Sequence, residues 1–129
     1  MRYFGAAVVV WRRGPDGGRE WLVLRRRYAA GPEWRWTPPS GLRERGESHD
    51  ECALRELLEE TGLELEVART PCGSDDWPVY AAGAPARAQV RIDQEHDDFA
   101  WLPLEEAVGR CLPQLVADQL VCVAAWLGS

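Results

Sequence analysis

The stretch Gly41 to Leu63, GLRERGESHDECALRELLEETGL, decides how this chain reads. Ser48 followed by Glu51 has the form of a capping box, which starts a helix at Ser48. Gly62 after Thr61 suits the end of that helix, because glycine takes the left-handed conformation without a Cβ penalty. Between these caps Leu54, Leu57 and Leu58, with Thr61 beside them, form an apolar stripe at helical spacing, and the glutamates fall on the adjoining face. Glu56, Glu59 and Glu60 stand within one turn, where Cβ atoms lie about 5–6 Å apart. Carboxylates that close repel one another unless a cation sits among them. A hard ion that prefers carboxylate oxygens fits: Mg²⁺, with Mn²⁺ as the alternative. Arg55, next to Glu56 and four residues before Glu59, can hold a carboxylate oxygen in its planar fork. Upstream, Gly41 and Gly46 bracket a loop carrying Glu44 and Glu47, whose backbone can approach a ligand closely.

Composition sets limits around this helix. The chain has 129 residues, which makes residues 1–129 one domain with enough length to bury a core. Its 21 acidic and 15 basic residues give a net charge of −6. That balance argues against a nucleic-acid polymer as partner, since such binding needs a basic surface. Every basic residue is arginine, so Schiff-base chemistry and a P-loop lysine are excluded. Any phosphate clamp must then come from arginine, metal or backbone. Cys52, Cys72, Cys111 and Cys122 lack paired metal-ligand spacing and read as buried reduced thiols of a cytoplasmic protein. The apolar run Ala6 to Trp11 is too short for a signal peptide's core and reads as a strand, and nothing reaches membrane-spanning length.

Outward from the helix, hydrophobic patterning outlines the rest. Tyr3 to Trp11 and Trp21 to Arg26 are β-rich runs joined through the turn residues Pro15-Asp16-Gly17-Gly18. Ala30 to Ser40 reads as loop, with Trp34 and Trp36 ahead of Pro38-Pro39. Leu65 to Thr70 alternates as a strand, and Pro71 to Pro78 breaks the chain. Val79 to Ala82, Ala88 to Ile92 and Phe99 to Leu102 are further strand candidates. Pro103 opens a helix, and Leu112, Leu115, Val116, Leu120, Val123, Ala124 and Leu127 repeat at helical spacing in a C-terminal one. Mixed strands flanked by helices predict an α/β fold, an α/β/α sandwich with a mixed β-sheet between helices.

The motif resembles the Nudix signature, G-x(5)-E-x(7)-R-E-U-x-E-E-x-G-U with U aliphatic. Gly41, Glu47, Arg55, Glu56, Leu57, Glu59, Glu60, Gly62 and Leu63 fill it without a gap or mismatch. A chance match is on the order of 10⁻⁸ per starting position, which sets aside an ordinary salt-bridged acidic helix. Trp36-Thr37-Pro38-Pro39 and the segment Glu95 to Leu102, EHDDFAWL, resemble stretches of the dinucleoside tetraphosphate hydrolases of this family. Dihydroneopterin triphosphate pyrophosphatases use a similar E-H-x-x-x-x-W stretch. Ser40-Gly41-Leu42 stands where the tetraphosphate hydrolases usually read Lys-Gly-His, so a phosphate-facing cation is missing. The stretch from Leu63 to Glu95 is also short for that branch.

The resemblance implies a Nudix-like sandwich and a Mg²⁺-dependent hydrolase of nucleoside diphosphates linked to another moiety. Dinucleoside polyphosphates such as diadenosine tetraphosphate lead. The alternatives are nucleoside triphosphates, oxidised or pterin forms included, or a sensing module that binds nucleotide without cleaving it. It implies metal ligation by Glu56, Glu59 and Glu60, with a backbone carbonyl near Ser40 or Gly41 as a further ligand. A general base would be Glu56 or Glu95, with Arg55 completing the catalytic set. Glu47, and with it Glu44, would orient the loop. His96 could contact substrate, Arg25, Arg26 or Arg27 could grip phosphate, and Trp77 and Tyr80 could stack on a base. The partner expected is a small-molecule nucleotide, with the chain acting as a monomer or homodimer and no membrane involved.

Overall fold

The structure, a computed structural model, describes residues 5–128. Tyr3, where the first β-rich run was expected to begin, lies outside the described residues. A mixed seven-stranded sheet forms the middle layer. Strand β1 (Gly5–Arg13) pairs antiparallel with β2 (Arg19–Arg26) and parallel with β6 (Pro78–Gly83). Two short strands, β3 (Trp36–Thr37) and β4 (Ser40–Leu42), attach to β2 and β1. β5 (Ala68–Gly73) borders β6, and β7 (His96–Leu102) lies along β2.

Period-two alternation sorts β1 between two cores. Ala6, Val8 and Val10 pack with Leu22, Leu24, Tyr80 and Ala82 under helix α1 (His49–Thr61). Ala7 and Val9 face the other way, with Trp21, Val23, Val79 and Ala81, toward α2 (Leu104–Arg110) and α3 (Gln114–Leu127). Strands apolar on both faces need helices on both, and the expected sandwich is the result.

Helix α1 starts at Ser48 with both halves of the capping box made, and ends at Gly62 with φ 73°. Its apolar face is not the leucine stripe that spacing suggested. Leu54 and Leu58 stand 45% and 46% exposed, while Cys52, Ala53, Leu57, Glu60 and Thr61 face the core. The helix is rotated so that small residues lie closest to the sheet and a carboxylate is carried inward with them.

Three further expectations are corrected. Strand β5 runs through Pro71, which an edge strand tolerates because no ladder N–H is needed there. Ala88 to Ile92 is not a strand. Ala88, Val90 and Ile92 do point inward onto the α1-side core, but this extended segment has no strand beside it to pair with. Cys72 and Cys122 are joined in a disulfide between β5 and α3, so only Cys52 and Cys111 remain as free, buried thiols. The α3 periodicity speaks only to packing. That hid the outward-facing Cys122, which meets a cysteine of the edge strand.

Candidate active site

Strand β4 lies antiparallel on β1, with Ala7 opposite Ser40 and Ala6 opposite Gly41, and this sets the glycine loop against the flank of α1. The approach is so close that a Cβ at Gly41 would collide with the Glu56 carboxylate. The backbone N–H of Ser40 donates to Glu60 Oε1 at 3.2 Å. Glu60 is 4% exposed. Burial, and next to it the hydrogen bond and charge of Glu56, push its carboxyl up to about 10. Glu56 and Glu60 therefore form a close pair of carboxyl groups walled in by loop and sheet.

Arg55 holds the outer edge of this pair. Its Nε and Nη2 donate to the two oxygens of Glu47 at 2.6 and 2.9 Å, a two-pronged contact. Nη1 donates to Glu56 at 2.8 Å and to Glu59 at 3.1 Å, and Nη2 also reaches the Leu42 carbonyl at 3.0 Å. Glu44 adds an ion pair at 3.1 Å, and its N–H donates to Glu47 Oε1. These bonds raise the Arg55 pKa above its ordinary value and hold Glu47 below the usual carboxylate range. One guanidinium thus holds four carboxylates, Glu44 and Glu47 of the loop and Glu56 and Glu59 of the helix.

Among the described residues no three acidic, histidine or cysteine side chains stand together at distances that would hold an ion. The assembled part is the Glu56–Glu60 pair, because Glu59 is turned to Arg55. The donor set still fits a hard divalent cation. Two carboxylates crowd a recess that a methyl group would fill, and one of them is too buried to ionise without a positive partner.

His96, at the start of β7, is 2% exposed and packs behind the pair. Its Nδ1 lies 2.7 Å from Asp93 Oδ1 and its Nε2 lies 4.0 Å from Glu60 Oε1. It therefore faces a glutamate and not open solvent. Neighbouring Glu95 is exposed and has no side-chain partner among the described residues. It lines a cavity of about 600 Å³ with Arg26, Tyr28 and Trp34.

The three arginines at the end of β2 divide. Arg25 Nε bonds Asp97 at 2.7 Å, and Arg27 donates to the Gln94 and His96 carbonyls at 3.0 and 3.3 Å. Both are bound to the segment at the start of β7 and brace it. Strand alternation turns the third, Arg26, to the face opposite Arg25. Arg26 lines the Glu95 cavity and also a second one of about 570 Å³, where Ser40, Trp34 and Trp77 meet α3. Trp77 thus lines a cleft. Tyr80 does not. It is 1% exposed beneath α1, with its hydroxyl on Asp50, and it packs the core.

Sequence reasoning passed over Trp34, which is 48% exposed at the seam of both cavities. Its φ of 62° lies in the left-handed region, a conformation that costs a bulky residue about 1 kcal/mol or more. No side-chain pattern signals such a backbone angle.

The NUDIX domain family model matches residues 3–127. The asymmetrical bis(5'-nucleosyl)-tetraphosphatase of Mus musculus is 35% identical over 85 residues, covering 56% of this chain and 58% of that protein. The chain thus spans little more than half the length of that relative. An RNA pyrophosphohydrolase of Cereibacter sphaeroides is 37% identical over 122 residues, covering 74% of this chain and 75% of that protein. Among solved structures, a C. elegans Ap4A hydrolase binary complex superimposes with a TM-score of 0.77 at 24% identity, over 95% of this chain and 97% of that one. That likeness speaks to fold.

Proposed function

The chain belongs to the NUDIX domain family, and on that premise we propose that it hydrolyses a phosphoanhydride of a nucleoside diphosphate linked to another moiety, with dinucleoside polyphosphates first among substrates. The observation that carries this reading is the buried Glu56–Glu60 pair against the Gly41 backbone, held by Arg55. A binding module needs no such crowding of carboxylates. The tetraphosphatase likeness and the two cavities that share Arg26 and Trp34, one of them reaching Ser40, favour a substrate with more than a single nucleoside triphosphate's worth of contacts.

Glu56 and Glu60, with Glu59 turned inward and a carbonyl from Ser40 or Gly41, would hold Mg²⁺ or Mn²⁺. When bound, that ion supplies positive charge to the phosphate oxygens and the attacking water. Arg55 keeps Glu56 and the loop in register, and Glu47 and Glu44 hold Arg55. His96 and Asp93 back Glu60 from behind. Glu95, free in its cavity, accepts the proton of the attacking water, a role Glu56 is less suited to because Arg55 occupies one of its oxygens. Arg26 meets phosphate between the cavities.

No helix among the described residues is long and apolar enough to cross a membrane. We place the chain in the cytoplasm, acting as a monomer or homodimer on small nucleotides and not on a nucleic-acid polymer. There the Cys72–Cys122 bond would be exposed to reduction.

The test is hydrolysis of diadenosine tetraphosphate in ¹⁸O-labelled water with Mg²⁺, with and without a chelator. Expected are a nucleoside triphosphate and a monophosphate, the label on phosphate, the ribose unlabelled, and loss of turnover with chelator. Strong turnover of free triphosphates or of 5'-triphosphorylated RNA, with none of the dinucleotide, would transfer the assignment to a triphosphate pyrophosphohydrolase.

A further inference from the structure

Trp34 is held in an expensive backbone conformation by a frame that leaves its side chain open. Its N–H donates to the Leu112 carbonyl at 2.7 Å, which pins the loop to the segment ahead of α3. The Arg35 guanidinium donates to the Gly31 and Ala29 carbonyls at 3.3 and 3.1 Å and closes the loop from inside. The Arg35 carbonyl accepts from Arg26 N–H at 2.7 Å, which ties the loop back to β2. A core tryptophan such as Trp21 is 3% exposed. Trp34 instead is 48% exposed on the wall that both cavities share.

The cavity of about 570 Å³ has the size of a small-molecule site. Trp34 and Trp77 line it with Leu115 and Val116, and Ser40, whose N–H meets Glu60, sits at its edge. An aromatic ring entering it would find indole surface at Trp34, with Arg26 beside it for an attached phosphate.

The geometry points to Trp34 as a specificity-determining residue, a platform on which the base of a bound nucleotide stacks while its phosphates run toward Ser40 and Glu60. The inference rests on the nucleotide-hydrolase reading but is read by a different measurement. Every base has a π-face, so stacking here favours nucleotides over base-free sugar phosphates without selecting one base strongly.

The test is titration calorimetry of AMP and of ribose 5-phosphate, each with Mg²⁺, on the parent, Trp34→Gly, Trp34→Ala and Trp34→Phe. Glycine accepts the φ of 62° without strain, so that variant keeps the fold, and alanine serves as a second variant that keeps the loop's chain stiffness. The parent prefers AMP. That preference falls about tenfold or more in the Gly and Ala variants, and the Phe variant keeps most of it. Ribose 5-phosphate affinity stays level throughout, which a merely structural role would not give. A parent without preference, a Gly or Ala variant within twofold of the parent, or a Phe variant as impaired as Gly would each overturn the proposal. Absent turnover with the AMP preference intact would sink the hydrolase reading alone.

Discussion

The two sides of the site differ in how their polar groups are employed. On the α1 side, Arg55, Glu47, Glu56, Glu60 and the backbone of Ser40 and Leu42 satisfy one another. On the cavity side, Arg26, Glu95 and the ring of Trp34 line open space instead. Groups that satisfy one another are held in position and suit a conserved chemical task such as holding an ion. Groups without internal partners are left for whatever enters, and they suit recognition. On the proposed reading the contrast teaches that reaction and substrate are encoded separately, the first around one helix and the second in residues scattered over β2 and the loops.

If that division is right, changes on the locked side should cost most. Glu60→Gln keeps the shape and removes a charge the ion requires, so turnover falls about a hundredfold or more while far-ultraviolet circular dichroism is unchanged. A near-parent rate in a phosphate-release assay would break the assignment. Arg55→Lys comes next. It keeps the charge and loses the fork to Glu47, so kcat drops about tenfold while KM stays within about threefold. The reverse pattern, an intact kcat with a raised KM, would move Arg55 to the recognition side.

Arg26→Gln probes the open side. Its KM for a polyphosphate substrate rises several-fold, roughly, with kcat near parent, since no other side chain depends on it. A collapse of kcat would erase the distinction between the two sides.

The last effect is on the stability of the metal-free protein and is read without any turnover. The Glu60 carboxyl titrates at about 10 when folded, against an ordinary value of 4.5. Between those values the native state holds a proton that the unfolded chain has released. Metal-free stability therefore falls as pH rises through that window. Glu60→Gln removes the proton and flattens the slope, measurable as melting temperature against pH in chelator. An equally steep slope in the variant would place the titrating group elsewhere.

Legibility follows the same line. The signature from Gly41 to Leu63 carried the helix caps, the carboxylates and Arg55, because those depend on contacts within a few residues. The sandwich followed from apolar strand runs such as Ala6 to Trp11 set among helical patterns. What escaped depended on tertiary facts. The rotation of α1 that exposes Leu54 and Leu58 follows from how closely small residues can approach the sheet. Tyr80 has the composition of a stacking residue, but its place under Asp50 comes from the parallel pairing of β6 with β1. Alternation sets Arg26 apart from Arg25, but which of them faces the cavities depends on how the loops fold over β2. The Cys72–Cys122 bond joins elements distant in sequence, and spacing alone does not report it.

That bond makes residues 72 to 122 a covalent ring, with β6, β7 and α2 all threaded inside it. Closing about fifty residues in this way restricts the unfolded chain by about 4 kcal/mol. It also joins the two ends of the cleft wall, since Cys122 lies on the α3 face beside Trp77. A protease that nicks a loop within the ring therefore cannot release either fragment. The cut chain runs as one band on a denaturing gel until a thiol is added, and only then do two fragments appear.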